Sequence, residues 1–258
     1  MQSLILWSLA VSLVINLVLF VIAFYYQSDK LTDASYAASF LALAVFALFK
    51  TSAPNIYSYL IFLMVDIWAF RIGIFLVNRV LKVGKDKRFD SMRSDFLAFG
   101  RFWLLQGITV WIIMLAASMA IYRAGNIGWL FFVGLVIWLN GLLIEAVADQ
   151  QKFEFREQKG SEHPWIDKGL WAKSRHPNYF GEISVWVGIY VASFEALSSE
   201  QRVLALVSPL FITLLLTKVS GVPILEKSAN ERWGSLKAYK DYKARTRLLI
   251  PLPKKEPR

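Results

Sequence analysis

Long apolar runs separated by short polar breaks recur along the whole chain. A helix crosses a bilayer with roughly 20 apolar residues. The runs at 4–26, 56–83, 102–122 and 128–148 reach that length. The run at 35–49 is short and predicts a tilted or partly interfacial helix. Runs at 177–194 and 203–219 bring the expected set to seven. Asp29, Lys30 and Asp33 mark the first break, Pro54 the second and Gly125 the fourth. Beyond residue 148 the helical spacing continues, now charged, to about residue 158. Residues 221–247 are polar and amphipathic and precede LLIPLPKKEPR. The runs are continuously apolar rather than alternating, which argues against a β-barrel. The expected fold is therefore all-α: a polytopic membrane protein of about seven transmembrane helices with a cytoplasmic amphipathic C-terminal segment. The first run lacks a basic n-region and outruns a signal peptide's apolar core, so it predicts a retained helix.

Composition agrees with this pattern. Of 258 residues, 56% are hydrophobic, and the mean hydropathy of +0.45 is too high for an ordinary soluble domain. The net charge of +10 raises the question of nucleic acid. Its distribution answers against it, because Lys and Arg gather in alternate loops as topology requires. With the N-terminus outside, the loops at 82–101 and 152–175 and the C-terminal segment are cytoplasmic. The outer turns then carry only Lys50, Arg123 and Arg202. Such basic loops also suit anionic lipid headgroups. The chain has no cysteine and two histidines, His163 and His176. Thiol chemistry is thus absent and a His-rich metal site is not expected.

Candidate chemistry centres on residues 169–182, GLWAKSRHPNYFGE. Lys173, Arg175, His176, Asn178, Tyr179 and Glu182 crowd the start of an apolar run there. Pro177 suits the first turn of a helix, and the free N–H groups of that turn attract anions. A second group is Glu145, Asp149, Lys152 and Arg156, which share one helical face at three- and four-residue steps. That face is either a solvated ion-pair ladder or a binding wall. Glu145 favours the wall, because ionisable groups within apolar spans usually line a cavity or meet a partner. Asp66 and Arg71 lie inside the third run. Five residues apart, they point in different directions, each toward another helix or a cavity. Gln106 fits interhelical hydrogen bonding. Tyr57 and Tyr59 are either proton donors or interfacial anchors. Glu226, Asn230 and Trp233 share a face that either closes over a ligand or lies at the bilayer surface. No GxGxxG, P-loop, HExxH or GxSxG motif is present.

At SRHPNYFGE the chain resembles the steroid 5α-reductase and sterol reductase superfamily, and more closely its DUF1295 branch. DQQKFEFRE at 149–157 is similar to the sterol reductases' QK-x-x-FR segment, through Gln151, Lys152, Phe155 and Arg156. GKDKRFD at 84–90, SGVPILEK at 220–227, and Tyr239-x-x-Tyr242 followed by LLIP are also typical of the branch. The resemblance implies a membrane-embedded, NADPH-dependent oxidoreductase of lipid metabolism. It would transfer a hydride to an activated C=C of a lipophilic, steroid-like or enone substrate. It implies cofactor contacts from Arg71, Glu145, Asp149, Lys152, Arg156, Arg175, His176, Asn178, Tyr179, Glu182 and Glu226. Within one membrane domain, residues 1–123 would then form the substrate side and 124–258 the cofactor side. The site would face the cytoplasm from a bacterial inner membrane, and no metal is implied. Steroid reductases carry an adjacent Gln-Glu pair in an early helix and a tyrosine in the third. This chain has no such pair there, and Trp68 replaces the tyrosine. Tyr57, Asp66 and Tyr179 remain as candidate proton donors. Isoprenylcysteine-type methyltransferases using S-adenosylmethionine share an RHPxY-like motif and form the alternative reading. A non-catalytic lipid-binding membrane module is the third.

Overall fold

A computed structural model describes residues 1–83, 89–90, 92–157 and 164–252. His163 and residues 84–88 of the GKDKRFD loop lie outside the described residues. Among the described residues the chain is α-helical, and its only pairing of the β type is an isolated bridge between Ser174 and Arg247. The helices are α1 (Gln2–Tyr25), α2 (Lys30–Lys50), α3 (Ile56–Val83), α4 (Phe96–Arg123), α5 (Trp129–Glu157), α6 (Pro177–Ser193), α7 (Ser199–Leu214), α8 (Val222–Trp233) and α9 (Lys237–Arg245). A π-helical turn, Leu215–Val219, joins α7 toward α8. Among the described residues, six helical stretches are long and apolar enough to cross a membrane: α1 to α5, and Ser199–Trp233. At 17 residues, α6 is apolar but is not among these stretches.

Two helices start earlier than the apolar runs predict. The first turns of α2 include Thr32 and Ser35, whose hydroxyls donate to the carbonyls of Asp29 and Thr32. Polar residues are thereby absorbed into the helix, and α2 reaches 21 residues, a spanning length. The start of α4 is set by Asp95, whose Oδ1 accepts from the N–H groups of Leu97 (2.9 Å) and Ala98 (3.0 Å). This N-cap satisfies donors that the helix cannot pair itself. The charged continuation expected after residue 148 is real, because α5 runs unbroken to Glu157.

The chain divides into two compact units. One comprises Met1–Phe132 and Ile189–Ser208, the other Val133–Gly188 and Pro209–Arg258. The first unit is a bundle in which α1 packs on α2 and α4, and α2 on α3. The buried face of α1 repeats every four residues or nearly so, through Leu4, Ser8, Ser12, Asn16, Phe20 and Ala23. Its small and polar members allow close approach and hydrogen bonding across helices. Ser12 Oγ donates to Gly107 O (2.8 Å) and Asn16 Nδ2 to Ser39 Oγ (3.1 Å). Gln106 Nε2 donates to Asn16 Oδ1 (3.1 Å) and Ser35 Oγ (2.6 Å), which is the interhelical role its position suggests. Such bonds contribute on the order of 1 kcal/mol each in a membrane bundle.

In the second unit, α5 and α6 cross in near backbone contact. A Cβ on Gly181 would lie 2.6 Å from Glu145 N, and one on Gly188 would lie 2.6 Å from Trp138 N. Only glycine permits this approach, which fixes the motif at the start of α6 against the charged end of α5.

Candidate functional site

The site lies in the second unit and is built on the segment between α5 and α6. Gly169 takes a left-handed φ of +59°, suited to glycine, and opens a short 3-10 turn, Gly169–Ala172. Leu170 N donates to Gln151 Oε1 (3.0 Å), and Trp171 Nε1 donates to Ala148 O (3.0 Å). Lys152 Nζ sits 4.6 Å from the Trp171 ring centre, a cation–π contact. These bonds lock the turn onto α5. The C-terminal segment grips the same turn from its other side. Arg175 N donates to Arg247 O (2.9 Å), Ser174 Oγ to Leu249 O (2.6 Å), and Tyr242 Oη to Trp171 O (2.9 Å). Burial pushes the Tyr242 phenol above its ordinary range, so it stays protonated as a donor.

Glu226 on α8 is the electrostatic hub. Its Oε1 lies 3.0 Å from His176 Nε2 and 3.2 Å from Arg175 Nε, and its Oε2 lies 3.5 Å from Lys243 Nζ. The arginine contact is an ion pair without hydrogen-bond alignment, since Arg175 Nε has no hydrogen-bond partner. Burial lowers the His176 pKa, while the hydrogen bond and charge of Glu226 oppose that shift. The ring is therefore neutral at pH 7, with Nε2–H donating to the carboxylate. Its Nδ1 is then a buried acceptor with no partner among the described residues. The ring of Tyr179 stacks on that of His176, 5.6 Å between centres and 7° between planes.

These groups border a cleft of about 220 Å³. Among the described residues, Lys152, Arg156, Arg175 and Arg232 line it against one carboxylate, that of Glu226. Trp165, Trp171, Trp233, Tyr239 and Tyr242 supply aromatic walls. Trp165, Trp233 and Tyr239 pack mutually, with ring centres 5.0 to 5.8 Å apart. The arrangement pairs positive charge with flat apolar faces. It suits a ligand carrying both phosphate and an aromatic base.

The sequence candidates fall into three places. Lys152, Arg156, Arg175, His176 and Glu226 line the cleft together. Glu145, Asp149, Asn178, Tyr179 and Glu182 are in the same unit but are not among its lining residues. There Asn178 Nδ2 donates to Asp149 Oδ1 (3.2 Å), and Glu145 backs onto Gly181. Tyr57, Asp66 and Arg71 belong to the first unit. Tyr57 is buried within the bundle, and its hydroxyl donates to Ala192 O (3.2 Å). Asp66 Oδ1 is buried without a hydrogen-bond partner among the described residues. No group of three or more potential metal ligands occurs among the described residues.

Residues 19–246 match a family model described as "Protein of unknown function (DUF1295)". The chain belongs to the DUF1295 family. The matched range includes every residue lining the cleft. No curated protein and no solved structure matches the chain.

Several DUF1295 cleft residues escape sequence reasoning. Trp165 lies in a polar linker, where its only signal is an aromatic following Pro164. Arg232 looks like a headgroup anchor by spacing, yet it lines the cleft, as does Trp233, whose face the spacing leaves open between a ligand and the bilayer surface. Outside the cleft lining, Ser174 is fully buried and holds the Leu249 carbonyl. In the first unit, buried Arg93 forms 2.8 Å pairs with buried Asp29 and exposed Asp90, pairs that the basic loop composition conceals.

Proposed function

We propose that this DUF1295 protein is an integral-membrane oxidoreductase that binds NADPH in the cleft between the α5–α6 segment and α8–α9. The observation that carries the reading is the four basic side chains facing aromatic walls. NADPH presents a pyrophosphate, a 2′-phosphate and a stacking adenine, and each finds a chemical match there. The misaligned Arg175 Nε and the unpartnered His176 Nδ1 supply further polar capacity at the rim of Glu226. Asp149 and Asn178 then position the start of α6, and Lys152, Arg156, Arg175 and Arg232 hold the phosphates.

When bound, the reduced nicotinamide supplies a hydride to an activated C=C of a lipophilic enone entering from the bilayer. The chain binds and orients the cofactor, and its apolar spans exclude water from the reacting groups. Among the candidate proton donors, Tyr179 shares the unit of the cleft, while Tyr57 and Asp66 belong to the helices expected on the substrate side. In this reading the basic loops lie on the cytoplasmic side of a bacterial inner membrane, with the cleft among them, and α6 joins the six apolar stretches as a seventh span.

S-adenosylmethionine fits this lining less well, because it brings a sulfonium cation and no phosphate to a cluster of basic side chains. The test is equilibrium binding of NADPH, NADH and S-adenosylmethionine to the purified protein in lipid nanodiscs. The expected order is NADPH first, NADH weaker, and no S-adenosylmethionine binding. Selective binding of S-adenosylmethionine overturns the reductase reading, and binding of none of the three favours the non-catalytic module.

A further inference from the structure

Residues 236–252 have two unlike sides. On the inner side, Tyr239 and Tyr242 are buried, and the carbonyls of Arg247 and Leu249 are taken by Arg175 N–H and Ser174 Oγ. On the outer side, Leu236, Leu248, Ile250 and Leu252 are 41% to 48% exposed. Lys237, Lys240 and Arg247 are exposed beside them. Opposing charge is limited. Asp241 is the exposed acid within α9, and Arg245 is shared with Asp167 at 3.8 Å.

An exposed aliphatic row flanked by cations is poorly suited to water alone. It suits the headgroup layer of a bilayer, where aliphatic tips enter the acyl boundary and Lys and Arg stems stay with the phosphates. Chain connectivity points the same way. α8 continues the stretch Ser199–Trp233, which is long and apolar enough to cross a membrane. α9 begins only four residues beyond Trp233.

We propose that residues 236–252 dock on the surface of the bilayer that holds the protein, with anionic lipid headgroups as the partner. Lys237, Lys240 and Arg247 meet the phosphates, while Leu248, Ile250 and Leu252 enter the acyl boundary. The inner side of the segment is already fixed by hydrogen bonds, so docking orders little additional chain. The bilayer thereby braces the segment whose carbonyls hold Ser174 and Arg175. This docking stands apart from the identity of the cleft's ligand.

The chain has no cysteine, so Ile250→Cys accepts a single polarity-sensitive fluorophore. The labelled protein is placed in nanodiscs of phosphatidylcholine alone or mixed with phosphatidylglycerol, each with brominated acyl chains as quencher. Quenching is expected to be stronger with phosphatidylglycerol and to fall in high salt. The Lys237→Gln/Lys240→Gln/Arg247→Gln variant keeps the Arg247 carbonyl. It should lower the docked-to-undocked ratio on the order of fivefold per side chain, with helix content by circular dichroism unchanged. No quenching overturns the proposal, as does quenching equal in both lipids and indifferent to salt.

Discussion

Replacing Gly181 by alanine tests how the site is held. The added Cβ would lie 2.6 Å from Glu145 N, 2.7 Å from Glu145 Cβ and 2.7 Å from Gly141 O. Favourable contact for carbon begins near 3.5 Å, so α5 and α6 must separate by roughly 1 Å. Two of the three obstructing atoms are backbone and cannot rotate away. Overpacking of this kind costs about 1 to 3 kcal/mol, and rigid obstruction puts this case near the upper end. The Asn178–Asp149 bond, at 3.2 Å, would not survive that separation. Gly100→Ala is the matched control, since its nearest foreign atom is the Phe20 ring at 3.4 Å. The assay is reversible unfolding in nanodiscs or mixed micelles, read for both variants. Gly181→Ala should lose about 3 kcal/mol, and Gly100→Ala less than about 1 kcal/mol. Equal stability of the two variants refutes the close crossing of α5 and α6.

Two further predictions concern charge. Arg93→Ala removes the 2.8 Å ion-pair partner of the buried Asp29 carboxylate and should cost about 3 kcal/mol, part of which returns in the Asp29→Ala/Arg93→Ala double variant. A double-mutant cycle with no coupling would show that the pair is incidental. The second prediction is a pH effect. Burial holds His176 below the ordinary histidine value near 6.5, so the neutral ring contributes stability above that value. The contribution is lost as pH falls through the lowered folded pKa, because the unfolded chain then binds the proton more readily. Wild type should therefore lose more stability than His176→Asn between about pH 7.5 and pH 5. Parallel losses in the two proteins contradict the burial argument.

The apolar runs made most helices legible, because the length needed to cross a bilayer is written directly in composition. The starts of α2 and α4 were not, since hydroxyl back-bonding at Thr32 and Ser35 and the cap at Asp95 extend helices into polar sequence. Periodicity puts Glu145, Asp149, Lys152 and Arg156 on one face, of which Lys152 and Arg156 line the cleft, and the crowding at 173–182 includes Arg175 and His176 of its wall. Trp165 and Tyr239 were harder to place. They meet because α8 and α9 fold back onto the α5–α6 segment, a tertiary event without local signature. Trp233 shows a related limit, since its spacing leaves a ligand-facing and an interfacial role equally open, and only its packing puts it in the cleft wall.

NADPH bound as proposed is held by the basic lining of the cleft. That lining is probed by titrating NADPH into nanodisc-embedded wild type, Arg156→Ala and Arg232→Ala. Each arginine supplies a charge-assisted hydrogen bond, so each variant should bind roughly ten- to a hundredfold more weakly. Wild-type affinity in both variants would place the nucleotide elsewhere and contradict the account.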